Sequence, residues 1–178
     1  MTKTYFISQV FAFLAFFFAI VAYQRKTKKQ ILGTMMFSNI LNLIHYAFLG
    51  AYSGCLTKVV GFLRDYIIIK KGRKKSVALL WVLITIYVIV AIITYKSIYS
   101  ILPLMAALIY LCGIYNGNEF KIKKTAFICY FFWLAYNICV FSVVAIISNI
   151  ISIIGAFIAI KRYEKSNKKR IYRKTTKR

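Results

Sequence analysis

Four ionisable side chains, His45, Lys58, Arg64 and Asp65, lie within NLIHYAFLGAYSGCLTKVVGFLRDY, residues 42–66, a run that is otherwise apolar or weakly polar. Imidazole titrates near neutral pH and passes protons, a buried ammonium or guanidinium attracts anions, and a carboxylate supplies the counter-charge. Catalysis asks for more: a nucleophile beside a base, paired carboxylates or a metal cluster. The chain's three acids, Asp65, Glu119 and Glu164, are far apart in sequence, and there is no second histidine to complete a metal site. The four cysteines, at 55, 112, 129 and 139, stand singly without a CxxC pair, so neither a disulfide framework nor zinc nor any other cofactor is expected. These residues suit binding or proton passage, and no enzyme is expected.

Their surroundings set the terms. The 178-residue chain is 61% hydrophobic and 17% aromatic, more apolar surface than a soluble core of that length hides, and it reads as a membrane protein. A net charge of +23 would suggest a nucleic-acid partner if the basic residues formed one face. Instead 22 of the 26 Lys and Arg fall in RKTKK (25–29), KKGRKK (70–75), KIKK (121–124) and the tail from Lys161. No nucleic-acid partner is expected. Between these clusters run apolar segments suited to a hydrocarbon core ~30 Å thick, which needs roughly 20 helical residues. There are seven: Tyr5–Tyr23, Ile31–Leu49, Gly54–Ile69, Ser76–Thr94, Ile101–Tyr115, Thr125–Val140 and Ser142–Ile160. The first lacks a small-residue cleavage site and is followed at once by QRKTKKQ, a stop to translocation rather than the start of a mature chain.

Cytoplasmic loops carry the excess of Lys and Arg. The basic clusters follow the first, third, fifth and seventh segments, while the opposite side carries Lys3, Lys96 and uncharged turns at GAYS and around Phe141. The expected topology therefore has the amino terminus outside and the basic tail in the cytoplasm, where Lys and Arg beside a membrane bind anionic lipid headgroups at ~1 kcal/mol per residue.

Sliding the chain by 91 residues lays the first three segments on the last three without a gap, so that Thr34 meets Thr125, Thr57 meets Ser148, Lys58 meets Asn149 and Gly61 meets Ser152. Both triplets have a basic loop after their first segment and a very short turn after their second. Two parallel triplets need one extra crossing between them, and SVALLWVLITIYVIVAIIT, apolar on all sides, is expected to be a lipid-facing linker. The expected fold is an all-α integral membrane protein of seven transmembrane helices in a 3+1+3 parallel repeat. Residues 1–75 form the first repeat, 76–95 the linker helix, 96–162 the second repeat and 163–178 the basic cytoplasmic tail.

This arrangement resembles the SWEET sugar carriers and their relatives, the PnuC vitamin carriers, the PQ-loop proteins and the KDEL receptors. KKQILGTMMFSNILNLIHYAFLGAYSG followed by Arg64, with AYN in the second half, more closely resembles the YgjV family of bacterial inner-membrane proteins. That family carries a Lys-Lys-Gln start, a His-aromatic-x-x-Leu-Gly turn and an Arg on the next helix, here Lys28, Lys29, Gln30, His45, Tyr46, Leu49, Gly50 and Arg64. The chain departs from it at Gly61, where the resemblance leads one to expect Asn. The resemblance implies a multi-pass protein of the bacterial inner membrane.

The polar residues fall on stripes. Ser38, Asn42 and His45 share one face of the second helix, with Asn39 beside it, and Gly54, Lys58, Gly61 and Asp65 share one of the third, flanked by Thr57 and Arg64. Trp133 and Asn137 line the sixth helix, and Ser148, Ser152 and Gly155 the seventh, next to Asn149. A centred Arg, Lys or Asp costs roughly 2.5–3.5 kcal/mol, so these stripes either hold helices together or line a ligand or proton path. Lys58 lies close enough to its helix start to snorkel outward. Neighbours on a helix point about 100° apart, so Arg64 and Asp65 are not expected to pair face to face, and Asp65 is expected to meet another helix or water. In carriers built from repeats the substrate sits between the repeats. The expected function is transport of a small polar metabolite held by Asn42, His45, Trp133, Asn137 and Asn149, with Trp133 as an apolar wall, Arg64 as an anion-attracting or gating charge and Asp65 as its counterweight. A receptor, chaperone or assembly factor of the same fold is the alternative, since a fold does not fix a function.

Overall fold

A computed structural model of the chain describes residues 3–71, 77–116 and 119–175, with side chains at all of these positions except 23, 116, 119 and 164–175. The boundary expected at 75–76, the Glu119 and Glu164 side chains and most basic groups of the tail lie outside the described residues. Seven α-helices are described: α1 Lys3–Gln24, α2 Lys28–Phe48, α3 Tyr52–Lys71, α4 Val77–Ile93, α5 Leu102–Asn116, α6 Glu119–Cys139 and α7 Val143–Thr175, with a 3-10 turn at Ile98–Ile101 leading into α5. Four stretches are long and apolar enough to cross a membrane by length and composition: Lys3–Ala22, Lys28–Phe48, Ile98–Tyr115 and Val143–Tyr163. Val77–Ile93 is a shorter apolar helix.

Two helices outrun the apolar pattern. Helix α6 begins at Glu119 rather than near 125, and α7 continues to Thr175 rather than stopping near 160. Lys, Arg and Glu are good helix formers, so the helix continues past the point where hydrophobicity ends. Helix α2 starts at a cap, the Thr27 hydroxyl accepting from Gln30 N at 3.3 Å.

The two turns between helices of a pair have the same construction. After α2 the chain enters the left-handed region at Gly50, φ 69°, and Ala51 N donates back to Tyr46 O at 3.0 Å. After α6 it does so at Phe141, φ 54°, and Ser142 N donates to Asn137 O at 3.0 Å. Each is a six-to-one helix stop. The back-bonds of α2 and α3 recur in the same way: Thr34 donates to Gln30 O at 3.0 Å and Thr125 to Lys121 O at 2.9 Å, Thr57 to Ser53 O and Ser148 to Val144 O, both at 2.6 Å. All of these positions correspond under the 91-residue shift.

Helix α2 packs between α1 and α3, α6 between α5 and α7, and the circuit closes where α3 meets α5 and α7 meets α1. Small residues bring the helices close: a Cβ on Gly54 would stand 2.8 Å from Tyr136 Cε1, and one on Gly113 would collide with Thr125. Helix α4 lies against α3 and α5. Most of its side chains are exposed, but Leu83 and Tyr87 are buried against Val60, Ala107 and Leu111. The expectation of a helix with nothing polar to offer is corrected by Tyr87, whose hydroxyl reaches Arg64.

A non-glycine residue in the left-handed region costs on the order of 1 kcal/mol or more. Gly50→Ala should therefore lower the thermal unfolding midpoint in detergent and Phe141→Gly should raise it. The pair of opposite shifts is checked by following unfolding of the two purified variants beside the parent.

Candidate functional site

The most buried charges are paired. Arg64 and Asp65 are 4% and 0% exposed, and Arg64 Nε donates to Asp65 Oδ1 at 2.9 Å. Asn39 Nδ2 of α2 donates to the other carboxylate oxygen at 3.2 Å, and Arg64 Nη1 donates to Tyr87 Oη at 3.1 Å. The guanidinium also stands over the Tyr110 ring, 4.8 Å from its centroid. The expectation that neighbouring residues would not pair is corrected here. Their Cα–Cβ bonds do diverge, but the three-methylene stem of arginine folds the guanidinium back across the helix surface. Asp65 meets a second helix as well, through Asn39. In low dielectric such charge-assisted bonds are strong only while every member is present.

Within the ring of helices lies a cavity of about 130 Å³. Its wall includes Ala12 and Ala15 from α1, Asn42 and Tyr46 from α2, Lys58 and Arg64 from α3, Tyr87 from α4, Tyr110 from α5, Trp133 and Asn137 from α6, and Asn149 from α7. Five of the seven expected site residues, Asn42, Arg64, Trp133, Asn137 and Asn149, thus face one space. Asp65 does not; it sits behind Arg64.

Lys58 does not snorkel outward. Its Nζ stands 3.7 Å from the centroid of the Trp133 ring across the cavity, which makes Trp133 a cation-binding face rather than a plain apolar wall. A desolvated cation–π contact returns roughly 2 kcal/mol, against roughly 2.5–3.5 for placing the charge at depth. The three ammonium N–H groups have no hydrogen-bond partner among the described residues. Two more groups on the wall are in the same condition: Asn149 Nδ2 and Tyr110 Oη are buried without a hydrogen-bond partner. Asn42, in contrast, donates to Ser38 O at 2.9 Å.

One end of the cavity, beside the two tight turns, is closed by aromatic residues and hydrogen bonds. Tyr46 Oη donates to Asn137 Oδ1 at 3.0 Å, a contact between residues 91 apart. The Tyr136 hydroxyl lies 2.8 Å from Ser53 Oγ and accepts from Gly54 N at 3.0 Å. His45, which corresponds to Tyr136 under the same shift, makes the matching clasp: its Nε2 is 3.1 Å from Ser142 Oγ and its Nδ1 is 2.9 Å from Ser8 O. Nδ1–H donating to Ser8 O with Nε2 accepting from Ser142 satisfies both nitrogens. His45 is therefore placed outside the cavity, tying α1 and α7 to α2, and not beside the amides where it was expected. It lies one residue before Tyr46, about 100° round the helix, and Tyr46 is the residue that points inward. Toward the other end packs an aliphatic cluster of Ala22, Ile31, Leu32, Met35, Ile114 and Ile122, of which Met35 also lines the cavity, and there Lys28 Nζ donates to Ile114 O.

A family model described as bacterial inner membrane protein, Imp-YgjV, matches residues 6–167. The chain belongs to the YgjV family of bacterial inner membrane proteins. No curated protein and no solved structure gives a match. On this YgjV-family chain the residues that carry the resemblance do structural work. Lys28 to Gln30 form the capped start of α2, His45 and Tyr46 close the turn end, Leu49 and Gly50 stop the helix, and Arg64 holds the buried pair. At Gly61 a Cβ would stand 3.4 Å from Asn39 Nδ2, so the amide expected at 61 is supplied from α2.

Sequence reasoning missed Tyr46, Tyr136, Tyr87 and Tyr110. For the first two a signal was available, since the 91-residue shift pairs His45 with Tyr136 and Tyr46 with Asn137.

Removing one member of a buried ion pair costs roughly 3–5 kcal/mol, while removing both is far milder. Asp65→Leu should therefore unfold at a much lower temperature than the double variant Arg64→Met/Asp65→Leu. A double-mutant cycle of unfolding midpoints checks the sign of that coupling.

Proposed function

We propose that this chain is a non-catalytic carrier of a small polar metabolite. It crosses the bacterial inner membrane seven times as two parallel triplets, α1–α3 and α5–α7, joined by α4 in a 3+1+3, SWEET-like arrangement. The amino terminus lies outside and the basic tail in the cytoplasm, against anionic lipid headgroups. The observation that carries the reading is the cavity lined by α1–α7, with buried donors on its wall that no group among the described residues answers. A packing network satisfies itself, because hydrocarbon offers no other partner. Donors left open toward a cavity are what a site needs when something else is to fill them.

The closures support the same reading. Repeat carriers work by rocking one half against the other around a fixed site, which needs a gate on each side that belongs to both halves. Tyr46–Asn137 and Tyr136–Ser53 join the halves at the turn end, and Ile31 and Ile122, again 91 residues apart, share the cluster at the other. In this reading the turn end is the outer gate, because the described parts of the Lys- and Arg-rich segments, 25–29, 70–71, 121–124 and 161–162, lie at the opposite end.

Orientation is checked by reporters. A periplasm-active enzyme fused after Arg178 should be silent and one inserted at Ser53 active; the reverse pattern overturns the topology. Transport is checked with the purified chain in proteoliposomes and a panel of labelled small metabolites. At least one should be taken up, and Asn149→Leu, which removes an unanswered donor without touching the buried pair, should lose that uptake by at least tenfold while still inserting and folding. A parent protein that moves no member of the panel would favour a receptor or assembly role.

A further inference from the structure

Resting on the carrier reading for its site, we propose that the cavity takes a small monocarboxylate, with the carboxylate seated at the Lys58 ammonium above the Trp133 ring. The charges on the wall do not cancel. Arg64 is answered by Asp65 at 2.9 Å, and Lys58 is answered only by an aromatic face. Asp65 is the sole acid within the apolar helices, Glu119 and Glu164 lying in the basic segments, so with Lys58 protonated one positive charge remains uncompensated in the middle of the protein. A single negative charge brings the site to neutrality, and a phosphate ester carrying close to two overshoots it.

The hydrogen-bonding groups point the same way. The unanswered atoms on the wall are the Lys58 ammonium, Asn149 Nδ2 and the Tyr110 hydroxyl, all of which donate, and Asn149 is 8% exposed. An acceptor-rich solute fits them. A substrate ammonium finds no open carboxylate, because Asp65 has one oxygen on Arg64 and the other on Asn39. Amino acids and amines are thereby disfavoured, as are neutral polyols, which leave the lysine charge in place. The cavity of about 130 Å³ limits the solute to a handful of heavy atoms. Lys58 and Asn149 correspond under the 91-residue shift, so the two repeats present a cation and an amide to one ligand from opposite sides.

The chain has two tryptophans, Trp81 and Trp133, and Trp81 is 63% exposed on α4. In the full-length Trp81→Phe variant, emission at tryptophan excitation therefore reports on the Lys58 site. Lactate, glycolate and pyruvate should each change that emission saturably, while glycerol, glycine and ethanolamine at matched ionic strength should not. Lys58→Gln should weaken the response at least tenfold and Lys58→Arg should keep part of it; where Lys58→Gln fails to fold, Asn149→Leu takes its place with the same expected weakening. The proposal is overturned if no monocarboxylate changes the emission, if glycerol or glycine matches lactate, or if the folded neutral variants respond like the parent. An emission response without uptake of the same acids into proteoliposomes keeps the anion site and removes the carrier. Uptake of a neutral solute without any carboxylate response does the opposite.

Discussion

A polar atom within hydrocarbon has no water to return to, so its hydrogen bonds are made inside the protein or not at all. In this chain that constraint bears hardest on Arg64 and Asp65, and the arrangement of four helices around them follows from it. Asn39 on α2 is drawn to the carboxylate, Tyr87 on α4 to the guanidinium, and the Tyr110 ring of α5 covers its face. None of these contacts is made for its own net gain, since a buried ion pair with good hydrogen bonds does little better than break even against apolar packing. Their effect is on specificity: once the pair is inside, only packings that answer both of its members remain. Helix α4 packs against α3 and α5 through buried Leu83 and Tyr87, and the Tyr87 hydroxyl ties it to the ion pair.

The two triplets repeat in backbone and differ in chemistry. Helix starts, left-handed helix stops and hydroxyl back-bonds recur at the same spacing, because those features depend on turn geometry and on hydroxyls near a carbonyl four residues back. The side chains facing the cavity do not recur. Asn42 corresponds to Trp133 and Lys58 to Asn149, so what one half offers as an amide the other offers as a ring or a charge. The recurring turns and back-bonds thus frame an interior whose side chains differ at corresponding positions. The bond between Tyr46 and Asn137 joins two residues that correspond under the 91-residue shift.

Much of this frame was legible in the sequence, for reasons that can be stated for each part. Helix number and approximate position followed from apolar length between basic clusters, and the stripes of Asn42, Asn137 and Asn149 followed from helical periodicity. Side-chain reach was not legible. Periodicity assigns a residue to a face by its Cα–Cβ direction, which misplaced His45 by one neighbour, denied the Arg64–Asp65 pair and sent Lys58 outward when a ring across the cavity held it in. The tyrosines were hidden by their dual character. In a composition that is 17% aromatic a buried hydroxyl looks like more hydrophobic filling until its partner is seen.

The two closures also differ in what separating them requires. At the turn end Tyr46 bonds Asn137, Tyr136 bonds Ser53 and Ser142 bonds His45, and each of these groups can take a water instead, at a net change of roughly 0.5–1.5 kcal/mol per bond. At the basic end Ala22, Ile31, Leu32, Ile114 and Ile122 gain nothing from water, and exposing them costs about 25 cal/mol for each Å² of apolar surface. Aromatic area adds to the cost at the turn end too, through Tyr46 and Tyr136, but there part of it is returned by hydration of the hydroxyls. Water therefore enters more readily between the clasps than between the isoleucines. That asymmetry follows residue pairs related by the 91-residue shift: Ile31 and Ile122 are identical, whereas His45 and Tyr136 are not.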